Sequence, residues 1–392
     1  MSTKNYAYIN HEMLVWARSE TPFDTIEDVT LHITGIKPEN ISSWEKGIEM
    51  PSISEAKKLA NLYKVPFACF YLSSVPEKKT KPYTDRRTYR GTIYSEISYE
   101  LWCEICRITG NREIMIDLSD DDFVSIDLPV IKNGLSEKEI ADIISRYLKL
   151  KLPFKNKSEF KNNGFSYYRA MVEHFGIMVA QITGVSIEEM RGMSIYNDKI
   201  PIIAINNKDF ERAKVFSLLH EFVHLVRRSS SLCLIDFDER NDDEEKICDR
   251  IAAEILMPEG NFGQVVTNVF AIYNEWSSLC LIDIANKFAV STFSVIRRLY
   301  ELKIISKLEY YSIYNRSNNE FLSEQERIKR EQEDKEFRIK YYITYLNKEG
   351  YLFPKKVVSA YNRGDISYGE MCKTLNVKSK HIETIERAVM FI

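Results

Sequence analysis

Phe210-Glu-Arg-Ala-Lys-Val-Phe-Ser-Leu-Leu-His-Glu-Phe-Val-His-Leu-Val226 carries apolar residues at Val215, Leu218, Leu219, Phe222 and Leu225, the spacing of an amphipathic helix. Inside it, His220-Glu221-Phe222-Val223-His224 sets two imidazoles four residues apart. Such positions project from one helix face, so both rings can reach one ion at about 2.0–2.1 Å. Glu221 follows the first ring directly, where its carboxylate reaches a water on the metal rather than the metal itself. Zinc brings such a water to a pKa of about 7, and the carboxylate can take its proton as it attacks a peptide carbonyl. The competing reading is a helix with two structural histidines.

A catalytic zinc ordinarily has three protein ligands, and no further His follows within the next hundred residues. Carboxylates are abundant in the next helical stretch, about 240–257, which Pro258 and Gly260 stop. There Glu245, Asp249, Ala252 and Ala253 share a face, and the two alanines allow close approach to the His helix. Glu245 is the expected third ligand, with Asp249 one turn on to hold the free ring nitrogen of a ligating His. Glu244 and the Cys248 thiolate remain alternatives.

At these positions the sequence closely resembles the ImmA/IrrE family of metallo-endopeptidases. The resemblance rests on Arg212 and Phe216 ahead of the His motif, then Glu-x-x-Cys-Asp-x-x-Ala-Ala-x-Ile-Leu-Met-Pro over 245–258. Arg191-Gly-Met-Ser-Ile-Tyr196, followed by Ile200-Pro-Ile-Ile-Ala-Ile-Asn206, is similar to the strand pair preceding the family's active helix. The resemblance implies zinc on His220, His224 and Glu245, with Glu221 catalytic. It further implies a protein substrate, typically a cytoplasmic helix-turn-helix repressor cleaved at one site under stress or prophage induction. Val223 and Ile251 depart from the residues common in the family, at positions that ligate no metal. A regulator without enzymatic activity, holding zinc as a structural or sensing ion, is the alternative.

Around this centre the expected fold is α+β and mainly helical. Residues 1–75 read as a bundle, with helices from about Asn10, from Asp24 (Glu27 completing a capping box), after Pro38, after Pro51 and at Pro66. They resemble an XRE-type helix-turn-helix, notably in Ile41-Ser-Ser-Trp-Glu-Lys-Gly47. Residues 76–92 read as a basic linker. Residues 93–280 read as a zincin-like catalytic domain, with Ser136 and Glu139 capping one helix and short β-branched runs at Ile177–Ile182 and Ile200–Ile205 as strands. Residues 281–392 read as a helical extension, in which 320–340 is a highly charged connector.

With Lys+Arg 54 against Asp+Glu 57, the chain has no global pull towards nucleic acid or membrane. No apolar run approaches the roughly 18 residues of a membrane span, and the first residues lack a signal-peptide pattern, so a cytoplasmic location is expected. Seven scattered cysteines suit reduced thiols, and Cys103-Glu-Ile-Cys106 reads as a buried helical pair.

DNA recognition by the N-terminal module would fall to Pro38, Glu39, Ser42 and Ser43, at the start of the third helix. Residues 1–75 hold 7 Lys+Arg against 9 Asp+Glu, a net of −2, which is poor electrostatics for duplex binding. The basic strip Lys78–Arg90 in the linker, with Arg86 and Arg87 beside Lys78, Lys79, Lys81 and Arg90, could compensate. Docking of a protein partner is the competing role. Tyr196 is the candidate oxyanion donor, and Arg212 either clamps backbone or substrate carbonyls or makes a structural ion pair. His11, His32, His174 and His381 read as ordinary residues, with His381 the one that folding could bring to the metal.

Overall fold

In the computed structural model, the residues described are 5–76, 97–119, 126, 128–132, 134–155, 164–228, 231–233, 242–333 and 340–390. Arg86, Arg87 and nearly all of the expected linker lie outside them. The chain divides into two compact units, Met1–Asn111 and Arg112–Ile392.

Capping chemistry and apolar spacing organise the first unit. Helix α1 (His11–Ser19) starts at Asn10, whose side chain accepts from the Glu12 amide. Helix α2 (Ile26–Leu31) begins one residue later than the Asp24–Glu27 pairing predicts. Thr25 and Asp28 close the box instead, with the Asp28 carboxylate accepting from both the amide and the hydroxyl of Thr25. Pro38 takes the first position of α3 (Pro38–Glu45), and a Ser52–Glu55 box opens α4 (Ile53–Leu62). The expected fifth helix is a short 3-10 turn, Phe67–Tyr71. Met13, Leu14, Val29, Ile41, Trp44, Leu59 and Phe70 form the core of this unit. The long α5 (Tyr99–Asp117) follows, with Cys103 and Cys106 as half-buried thiols rather than a fully buried pair.

In the second unit, α6 (Glu137–Tyr147) and α7 (Gly164–His174) precede a four-stranded sheet. Its strands are β1 (Met178–Ile182), β2 (Gly192–Ile195), β3 (Ile202–Asn206) and β4 (Ser231–Cys233), in the order β1-β3-β2-β4. β1 runs parallel to β3, in register Met178 opposite Ile202, while β2 is antiparallel to both β3 and β4. Every residue of β1 and β3 is buried, which is why these strands read as continuous apolar runs instead of alternating ones.

β3 leads directly into α8 (Glu211–Val226), and α9 (Asp242–Leu256) packs beside it. α8 is buried nearly all round from Val215 to Val226. Five more helices continue the chain: α10 (Glu259–Tyr273), α11 (Ser278–Phe288), α12 (Thr292–Glu301), α13 (Lys307–Glu333) and α14 (Tyr341–Glu349). The last three are α15 (Leu352–Arg363), α16 (Tyr368–Thr374) and α17 (Ile382–Met390). Among the described residues no single helix is long and apolar enough to cross a membrane, and α11 with α12 passes that test only as a pair bent by 91°.

The C-terminal helices are tied to the sheet through a buried polar knot. Arg169 on α7 donates to the Val179 carbonyl of β1 at 2.6 Å and to the Asn347 carbonyl of α14 at 2.8 Å. Glu173, one turn on, accepts the Tyr351 amide at 3.1 Å. Gly350 sits over this knot with φ +82°, and a Cβ there would lie 2.3 Å from Glu173 Oε1 and 2.5 Å from the Val179 carbonyl. Both the left-handed conformation and the lack of space demand glycine. Gly350→Ala is expected to cost about 2–4 kcal/mol of unfolding free energy, measurable by urea denaturation.

Candidate metal centre

Helix spacing brings the two rings together, and the neighbouring helix supplies the acid. His220 and His224 rise from adjacent turns of α8 with Nε2 atoms 3.1 Å apart. From α9, Glu245 Oε2 stands 3.1 Å from His220 Nε2 and 3.5 Å from His224 Nε2. Among the described residues this is the group of side chains whose donor atoms lie close enough for a single ion. Both histidines are buried, and Glu245 is about a third exposed, so the cluster opens towards solvent on its carboxylate side.

The electrostatics of this trio call for a cation. Asp249 Oδ1 lies 3.0 Å from His220 Nδ1, a charge contact without the angle of a formed hydrogen bond, and an ionised carboxylate there favours the ring proton on that nitrogen. His220 Nε2 is then left with a lone pair aimed at a second imidazole and at a carboxylate. Three such donors repel one another unless a proton or a metal ion stands between them. Burial alone would push the Glu245 carboxyl up, but the His220 and His224 rings, when a proton rather than a metal stands between them and the acid, hold it well below the usual carboxylate range. Asp249 is likewise lowered against its burial, by His220 and then by Arg297. Tetrahedral zinc with bonds of about 2.0–2.1 Å needs donors about 3.3 Å apart. The observed separations of 3.1, 3.1 and 3.5 Å bracket that value, and two imidazoles with one carboxylate suit zinc chemically.

The competing ligands are engaged elsewhere. Glu244 faces Arg227, with Oε1 3.7 Å from Nε. Cys248 is fully buried behind the outer edge of His224, its Sγ 3.8 Å from Nδ1. The sulfur therefore supports the ring from the side opposite the donor cluster.

Glu221 is buried between α8 and the sheet, against a glycine that sequence reading does not single out. A Cβ on Gly192 of β2 would meet Glu221 Oε1 at 2.9 Å and Cγ at 3.2 Å. The bare backbone of β2 therefore makes room for the carboxylate beside the His pair. Only the quoted Arg191-Gly192 pair hints at this, because the contact depends on how β2 lies against α8.

The remaining candidates separate. The Tyr196 hydroxyl donates to Asp198 at 2.7 Å, and that bond raises its pKa. Arg212 donates to the Val290 carbonyl at 3.1 Å and to Asn286 Oδ1 at 2.6 Å, fastening the start of α8 to the end of α11; burial lowers its pKa. Among the described residues its partners are a carbonyl and a side-chain amide, not the acid of an ion pair. His381 stacks on Tyr341 at 4.1 Å, and exposed His174 makes an edge contact with Phe175. His32 packs with Phe23 and Tyr99. Val223 and Ile251 are fully buried, so their departures from the family concern packing. In the first unit, α3 turns Ile41 and Trp44 inward, with Glu39 exposed and Pro38, Ser42 and Ser43 half-buried.

Residues 172–300 match the model of the Peptidase_M78 family, described as an IrrE N-terminal-like domain. Residues 32–68 match a helix-turn-helix model. No curated protein matches the chain. The order of the two domains, helix-turn-helix first, agrees with the resemblance carried by the motifs.

His220→Ala is expected to abolish stoichiometric zinc uptake by the full chain. Asp249→Asn should weaken zinc about 10–100-fold, because the ring it orients is freed. Competition against a chromophoric chelator measures both.

Proposed function

We propose that this chain is a zinc-dependent endopeptidase, with His220, His224 and Glu245 holding the ion and Glu221 acting as general base. The observation that carries this reading is the convergence of two imidazole nitrogens and an ionised carboxylate within 3.1–3.5 Å, beside a buried acid. A structural zinc site would have no use for Glu221, whereas a hydrolase depends on it.

When bound, zinc supplies Lewis acidity, acidifying water and polarising a peptide carbonyl. The protein's own groups do the rest. Asp249 keeps the proton of His220 on Nδ1, so that Nε2 presents its lone pair to the ion. Glu221 receives a proton from the attacking water and delivers it to the departing amine, which breaks the C–N bond. Gly192, by lacking a Cβ, leaves room for the Glu221 carboxylate. Arg212 fixes the entry of α8 and thereby the direction of both rings.

The substrate in this reading is a protein, with a helix-turn-helix repressor of the cytoplasm as the first candidate. The N-terminal domain is read as the module that docks this partner. A net charge of −2 over residues 1–75 and a third helix offering Glu39, Ser42 and Ser43 give phosphate little to hold. Tight, steeply salt-dependent binding of duplex DNA by the full chain would favour the nucleic-acid role instead.

Glu221→Gln is expected to retain zinc and lose cleavage about 10²–10⁴-fold. Comparing which cytoplasmic protein disappears on expression of the wild type, but not of this variant, also identifies the substrate. Equal cleavage by the two would sink the reading. Gly192→Ala should also keep zinc, with kcat reduced about 10–100-fold as the new methyl displaces the carboxylate.

A further inference from the structure

The metal centre continues one link beyond Asp249. Each oxygen of that carboxylate has its own partner: Oδ1 faces His220 Nδ1 at 3.0 Å, and Oδ2 accepts from Arg297 Nη2 on α12 at 3.2 Å. Arg297 is itself aligned by its neighbour one turn on, with Nε donating to Glu301 Oε1 at 2.9 Å. We infer that Arg297 is a positioning residue of the metal centre, acting through Asp249 to fix the His220 ring. The inference rests on the zinc reading of His220, His224 and Glu245.

A carboxylate held through one oxygen can swing about its Cβ–Cγ bond, while one held through both has its plane fixed. Losing Arg297 therefore frees Asp249 and, through it, the ring. An opposing effect exists, since removing a cation leaves Asp249 a stronger acceptor and His220 a better donor to zinc. Arg297 is about half exposed, so solvent screens its charge, and the orientational effect is the larger. The two effects predict zinc affinities that change in opposite directions.

The placement of α12 does not itself depend on Arg297. Arg298, buried next to it, pairs with Glu254 and donates to the Met257 carbonyl, which anchors α12 on α9. A half-exposed pair such as Arg297–Asp249 adds little to folding stability. Its work is local, at the ring.

The test uses the full chain, zinc alone as probe, and chelator competition. Arg297→Met is expected to weaken zinc about 3–30-fold, less than loss of Asp249 itself, and Arg297→Lys to recover part of that loss. The metal-free unfolding midpoint of both variants should match wild type. Arg250→Met is the control: it removes an ion pair from the same α9, to Glu137, and should leave zinc affinity unchanged. Unchanged or tighter zinc binding by Arg297→Met would overturn the inference, as would an equal loss in Arg250→Met. A wild-type chain that takes up no zinc would overturn the metal-centre reading and this inference together.

Discussion

Two imidazoles and a carboxylate, forced within 3.1–3.5 Å of one another with their lone pairs converging, are the constraint on which this structure turns. Such an arrangement is costly in a half-dry interior unless positive charge sits at its centre. The protein meets that cost with a rigid frame. α8 is buried nearly all round from Val215 to Val226 and backed by β2 and β3, and α9, with Ala252 and Ala253 buried, packs beside it. Preorganised donors of this kind lose little on binding an ion, because the ordering was completed during folding.

The frame also sorts side chains of similar chemistry into different tasks. Three acids and a thiol lie within six residues on α9, yet Glu245 joins the donors, Glu244 turns to Arg227, Asp249 stands against one ring and Cys248 lies behind the other. The 100° step of the helix does the sorting. One residue of slippage would place a different group at each station, so the register of α9 against α8 decides the chemistry. Arg298 and its partners Glu254 and Met257 in turn anchor α12 on α9.

Much of this was legible in the sequence because it depends on periodicity within single helices. The His pair, the acid face of α9 and the buried strands β1 and β3 all follow from spacing and β-branching. Local chemistry carried less far where two solutions competed. Asp24–Glu27 and Thr25–Asp28 both fit a capping box, and only the observed bonds to the Thr25 amide and hydroxyl decide for the second. Three-residue β4 is too short to leave a pattern. Gly192 and Arg297 were not legible as site residues, since their importance comes from contacts between elements distant in sequence: β2 on α8, and α12 on α9. The basic strip with Arg86 and Arg87 falls outside the described residues.

The Arg169 knot has a bearing on where this fold begins and ends. β1 is the outermost strand of its sheet, and an open strand edge invites pairing with other chains. Here α14 and α15 lie against β1, and the guanidinium of Arg169 takes up the Val179 carbonyl. α14 and α15 thus cover β1 against edge-to-edge pairing. A chain shortened to the segment matched by the peptidase-family model would keep every metal donor and leave the edge of β1 uncovered.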